Sequence, residues 1–418
     1  MEKIHLQSGV TLLIDPVPGS EVVSVGLWLN RGSRDEGPDE RGYTHFTEHM
    51  LFKGTRKRNA LDIALEIDEM GADINGATGH EHTSFFVNSA RIFLDRAVEI
   101  LADMYLNSIF DRSEFDKEKL VILGEIGMSM DDPEDYVNQM FSRLIWPGHG
   151  LGTPVMGREA DVRSVTLEGI RTFYRECYGT DRLILSAAGG LDPDKFAKAA
   201  EKWFPDSRET PRYPRKKPAP GSGCLTECRE IEHVYFLCGT EAYGYGDERR
   251  YQLLLLNMVL GSSLSSRLFQ RIREDRGLCY AISSMASSFS DSGEFTINFS
   301  ASPENLRPVL DELNKQIGLV MRSGIEEEEL DRAKRRFFGN YTLARESVEW
   351  KMTRMAVQEM VFGRIFHYDE IMEKINRVTV SQIHAVARDL FHAPDFCFAS
   401  LGPDAQNGVL DDFNFDFG

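Results

Sequence analysis

The chain has 418 residues, 42% hydrophobic and 27% charged, with a formal net charge of −18. That length exceeds one ordinary core and predicts two or three domains of a globular protein. The acidity argues against nucleic acid as a partner and against an anionic membrane surface, and leaves basic peptides as compatible ligands.

No apolar run reaches the roughly 18 residues of a membrane span, so none is expected. The start, Met1-Glu2-Lys3-Ile4-His5, lacks a signal-peptide pattern. The six cysteines are Cys177, Cys224, Cys228, Cys238, Cys279 and Cys397. Their scatter predicts free thiols in a reducing compartment, and hence a cytoplasmic protein. Cys224 and Cys228 are close, but without a second pair they do not make a metal site.

In chain order, Val22–Leu29 reads as a strand. Residues 41–52 read RGYTHFTEHMLF. His45 and His49 are four apart, so on a helix they share one face and can hold one Zn²⁺. Glu48 lies on the same face, where a carboxylate can take a proton from water at the metal; this is the H-x-x-E-H arrangement. Tyr43, Phe46, Met50, Leu51 and Phe52 make the helix apolar on most sides, so its polar groups need partners, which a metal supplies.

Residues 71–86, GADINGATGHEHTSFF, contain a short polar strand flanked by glycines. Such an edge can accept an extended peptide as an extra strand. Alternation sends His80 and His82 to one face and Glu81 to the other, against a second metal site there.

Catalytic zinc takes three protein ligands. The best third candidate is Glu125, which interrupts an apolar stretch: Leu120 to Leu123 with Ile126 predicts a buried helix. Glu118 precedes it by two turns on the same face and could support a ligand from behind.

The chain repeats itself. Residues 165–189 align without a gap on 378–402 at an offset of 213, and 113–126 on 328–341 at 215. Strand-to-helix passages beginning at His82 and Gly293 also correspond. Between the halves, residues 205–223 are rich in proline and glycine and read as a connector. The expected organisation is therefore residues 1–205, a linker 206–223, and residues 224–418. Strands such as Val22–Leu29 and Glu294–Ser300, with long helices such as Leu306–Met321, predict an α+β fold. Each half is an α/β sandwich, an antiparallel-rich sheet covered by helices. The acidic, aromatic tail Asp411–Gly418 is expected to be a disordered end.

His45-Phe46-Thr47-Glu48-His49, with Glu125 seventy-six residues after His49 and Glu118 seven before it, resembles the insulinase and pitrilysin family. Within it, the chain is most similar to mitochondrial processing peptidase and its bacterial homologues. The resemblance spans nearly the whole chain, since that family is also built from two similar halves. It implies a zinc endopeptidase with one Zn²⁺ held by His45, His49 and Glu125, Glu48 as general base and Glu118 in support. It also implies that Asn75, Gly76, Ala77 and Thr78 bind peptide as an edge strand. Arg273 and Tyr280 match an Arg and a Tyr that contact substrate and help to polarise the scissile carbonyl. The second half has no H-x-x-E-H around Leu264, as in the family. One departure is Gly261-Ser262-Ser263-Leu264-Ser265-Ser266, where many relatives carry a run of glycines. A chain of this length is expected to dimerise to close a chamber, with Arg273 and Tyr280 serving either their own or the other subunit's zinc site. The alternatives are a non-catalytic scaffold subunit of the same family and a metal hydrolase acting on another substrate.

Overall fold

The segment VVSVGLWL (β3, Val22–Leu29) is buried at every residue but the first. A strand apolar on both pleat faces needs cover on both. In the computed structural model, which describes residues 1–211, 214–411 and 413–417, β3 receives it inside a six-stranded sheet. The other strands are β1 (Glu2–His5), β2 (Thr11–Pro16), β4 (Asp73–Thr78), β5 (Thr83–Ala90) and β6 (Leu183–Gly189). Their order is β1-β2-β6-β3-β5-β4, and only β2–β6 is parallel.

One face of this sheet packs on helices α1 (Tyr43–Leu51), α2 (Ala60–Glu69), α3 (Leu94–Asn107) and α4 (Arg112–Asp131). Val25, Leu27 and Leu29 join Met50, Ile63, Leu101 and Ile122 in that core. The opposite face, with Leu13, Trp28 and Ile184, packs on Met352, Met355 and Ala356. These three belong to the helix Val348–Phe362 from the far half of the chain. Trp28 Nε1 donates to Met352 Sδ at 3.3 Å, and Ser186 Oγ donates to the Met352 carbonyl at 2.8 Å.

A second sheet has five strands: β7 (Cys224–Cys228), β8 (Val234–Ala242), β9 (Ala281–Ser288), β10 (Gly293–Ala301) and β11 (Cys397–Gly402). The order is β7-β11-β8-β10-β9, with β7–β11 its parallel pair. Val234, Phe236 and Cys238 face Leu256, Leu310 and Ile383. On the other side, Leu237, Ala399 and Leu401 face Val137, Met140 and Phe141, from α5 (Pro133–Ile145). Each half of the chain thus contributes one helix to the sheet of the other.

The compact units record the exchange. One comprises residues 1–128, 153–215 and 342–365; the other comprises 129–152, 216–341 and 366–418. The division into 1–205, linker 206–223 and 224–418 follows the duplication, whereas packing follows the exchanged helices. The linker's beginning belongs to the first unit, where Arg215 forks onto Asp35 with two 2.8 Å bonds. Arg212 and Tyr213 lie outside the described residues.

Two expectations need correction. The stretch Leu120–Leu123 is not buried throughout: Leu120 is 71% and Val121 47% exposed, while Glu118, Ile122 and Ile126 are buried. Successive helical residues point in different directions, so a block of adjacent apolar residues cannot all face one core. The tail is not a loose end either. Phe413 and Phe417 are buried and pack edge to face on Phe398 and Phe396, and the Phe417 carbonyl accepts from Arg322 at 3.2 Å. Alternating phenylalanines at 413, 415 and 417 give an extended segment one aromatic face, which covers the second core. Asp412 and Gly418 lie outside the described residues.

Candidate metal centre

α1 is preceded by its cap Gly42, whose φ of +82° favours glycine; a Cβ there would also stand 2.7 Å from the Met156 carbonyl. The Glu36 carboxylate accepts from the N–H groups of Gly42 at 2.9 Å and Thr44 at 2.7 Å. Two donors at the helix start are thereby satisfied. Burial nevertheless pushes the Glu36 carboxyl up to about 7.

The stack of Phe46 on Phe115, with centroids 4.9 Å apart, ties α1 to α4. It brings His45, Glu48 and His49 of α1 towards Glu118 and Glu125 of α4. One ligand atom from each of His45, His49 and Glu125 lies within 4.8 Å of the other two. Glu125 Oε2 is 3.9 Å from His45 Nε2 and 3.6 Å from His49 Nε2. Tetrahedral ligand atoms at zinc distances of about 2.0–2.1 Å stand roughly 3.4 Å apart, so this donor set fits zinc with a small contraction. Among the described residues it is the only group of three such side chains placed to hold a metal; neither His80 and His82 nor Cys224 and Cys228 forms one.

His49 Nδ1 bonds Glu118 Oε2 at 3.0 Å, which aims Nε2 at the centre. Lys53 Nζ holds the other Glu118 oxygen at 2.8 Å. Burial, then the neighbouring His49, pushes His45 down to about 4. It is therefore neutral near pH 7 and offers a lone pair.

Glu48 is buried and stands beside this triad. Burial raises its pKa, opposed by a hydrogen bond from Thr78 and by the charge of His49. A raised carboxyl suits a general base. Oε2 accepts from Thr78 Oγ1 at 2.6 Å.

β4 ends the sheet, paired only with β5. Asn75 and Ala77 are exposed, whereas Gly76 and Thr78 turn towards α1. The Asn75 carboxamide is occupied by the N–H of Gly76. Arg273 and Tyr280 lie in the second unit. The Arg273 guanidinium is 5.6 Å from the Tyr280 ring and 4.6 Å from that of Phe269, and Tyr280 is 82% exposed.

Several features escaped the sequence reading. The Thr78 and Lys53 contacts join positions 30 and 65 residues from their partners, and nothing local announces them. A legible signal was missed in the second half. Residues 247–251, DERRY, match 39–43, DERGY, at an offset of 208. In that register Leu253, Leu256 and Asn257 replace His45, Glu48 and His49, and both leucines are buried.

Comparison with known proteins gives the family. Residues 12–159 match the insulinase family, peptidase family M16, and residues 164–337 match the M16 inactive domain. The chain is 35% identical over 404 residues to a Bacillus subtilis protein named uncharacterized zinc protease YmxG, covering 96% of this chain and 98% of that one. It is 36% identical to an uncharacterized zinc protease of Rickettsia felis, with the same coverage of both chains. Among solved structures, a protease from Helicobacter pylori superposes with a TM-score of 0.90 at 19% identity, covering 96% of this chain and 99% of that one. A chain of complex III2 from Candida albicans superposes at 0.84 with 17% identity, covering 99% and 97%. These two show shared fold. Whole-length identity and both family matches place the chain in the insulinase family, peptidase family M16.

Proposed function

We propose that this protein is a zinc-dependent endopeptidase. The observation that carries the reading is the convergence of His45, His49 and Glu125 within 4.8 Å, with the buried Glu48 carboxylate beside them. The names of the relatives support zinc and proteolysis.

When bound, zinc would supply a Lewis acid and lower the pKa of a bound water to about 7. His45, His49 and Glu125 would hold the ion. Glu118 orients His49. Glu48 accepts a proton from the attacking water and returns it to the leaving amine. The outer edge of β4 pairs with the peptide backbone, and Arg273 with Tyr280 contacts substrate and stabilises the developing oxyanion. By the resemblance, two copies enclose a chamber that admits peptides or unfolded segments. The net charge of −18 favours basic ones. The free cysteines suit a reducing compartment such as the cytoplasm. No helix among the described residues is long and apolar enough to cross a membrane.

The test is zinc content together with cleavage of a quenched basic peptide, for wild type, chelator-treated wild type and Glu48→Gln. Zinc in both proteins is expected, with chelator-sensitive cleavage by wild type and a loss of about 10²–10⁴-fold in the variant. Zinc without cleavage of any peptide by wild type would favour the scaffold reading, and activity on a non-peptide substrate alone would favour another hydrolase. No zinc in folded wild type would end the proposal.

A further inference from the structure

We propose that Thr78 is a positioning residue for Glu48: its hydroxyl selects the orientation in which that carboxylate works. The inference rests on Glu48 being the general base.

β4 alternates strictly. Asp73, Asn75 and Ala77 are exposed, while Ile74, Gly76 and Thr78 are half-buried on the opposite face. On that inner face Thr78 Oγ1 donates to Glu48 Oε2 at 2.6 Å. Oε1 accepts no hydrogen bond among the described residues and is left for proton transfer. A glutamate's terminal torsion is broad and weakly restrained, so burial alone does not choose its angle. A single charge-assisted bond from a fixed strand does.

Gly76 completes the confinement. A Cβ at that position would stand 2.8 Å from Glu48 Oε1 and 2.9 Å from Phe52 Cε2. A side chain there would push the Glu48 carboxylate and the Phe52 ring out of these positions. The carboxylate is therefore held between a hydroxyl and a glycine of one strand. That strand ends the sheet, with β5 as its one strand partner among the described residues. A peptide pairing along the edge would press on the element that orients the base, so substrate alignment and base alignment share one support.

The decisive variants are Thr78→Val, which keeps the shape and deletes the hydroxyl, and Thr78→Ser, which keeps the hydroxyl. Zinc stoichiometry, melting temperature, kcat and KM are measured beside Glu48→Gln. The expected result is Thr78→Val with full zinc, an unchanged melting temperature, KM within about twofold and kcat reduced about 10- to 100-fold, the usual effect of losing an orienting partner. Thr78→Ser regains most of that kcat. Wild-type kcat in Thr78→Val, a change confined to KM, or no recovery in Thr78→Ser would overturn the proposal. Should Thr78→Val lose zinc, Thr78→Ser is compared with Thr78→Ala at equal loading, and equal turnover overturns it. Full turnover in Glu48→Gln would defeat the role of the base and this proposal with it. An inactive Glu48→Gln beside a fully active Thr78→Val defeats this proposal alone.

Discussion

Glu118 spends both carboxylate oxygens on neighbours, one on His49 at 3.0 Å and one on Lys53 at 2.8 Å. It reaches the metal position only through the histidine it steers. Glu118→Gln keeps the size but loses the ion pair and weakens the hold on His49. We expect zinc affinity to fall by about 10- to 100-fold with the fold retained, as measured by competition against a chelator of known affinity. Unchanged affinity would mean that α1 alone aims His49. The three residues of α1 were legible because helical spacing is local arithmetic: positions 45, 48 and 49 share a face whatever surrounds them. Glu125 was legible as a carboxylate in an apolar stretch. Thr78 and Lys53 were not, because their significance is a contact between elements rather than a pattern within one.

At the scale of elements, the turn before α2 is fastened to α3 by buried charge. Arg58 binds Glu66 at 3.0 Å, Glu99 at 2.9 Å and Asp103 at 2.7 Å. Thr55 Oγ1 donates to the same Asp103 oxygen at 2.7 Å. Burial alone would raise the Asp103 pKa, but bonds from Thr55, Arg58 and Asn107 outweigh it and hold the group below its ordinary value. Glu99 is depressed in the same way, by Arg58 and Arg96 against burial. A depressed carboxyl stabilises the fold above its unfolded pKa of about 4, and that contribution is lost as pH falls through the folded pKa. Asp103→Asn should cost about 1.5–3 kcal/mol at neutral pH and flatten the acid limb of stability. Urea unfolding over a series of pH values measures both. Parallel pH profiles for the variant and wild type would show that Asp103 does not govern acid sensitivity. The strands were the most legible elements: β3 matches its expected bounds, and Glu294–Ser300 lies within β10. α4 was harder to read, since Leu120 and Val121 face outward beside the buried Ile122. Composition marks a helix as apolar without saying which side is covered.

At the scale of the molecule, duplication was visible in the aligned repeats, but the exchange of helices was not. Similar segments occur at similar places in each half, and no residue names the sheet it will cover. The exchange predicts how a cut chain behaves. Cleavage after Lys217, an exposed linker residue, leaves α5 on one fragment and Val348–Phe362 on the other. Each fragment then carries a helix that the other's sheet needs. Burial contributes about 1.5–3 kcal/mol for each large apolar side chain such as Val137, Met140 or Phe141. The fragments should co-elute in native buffer and separate only in denaturant; separation in buffer would show that the exchanged helices contribute little.

The same exchange bears on ancestry. A protein consisting of one half would have left the outer face of its sheet bare, unless a second copy lent its helix. Two such chains trading that helix form a swapped pair, and joining them end to end yields the present arrangement. In the fused chain one copy could lose its histidines to leucine and asparagine without surrendering the helix that its sister still required.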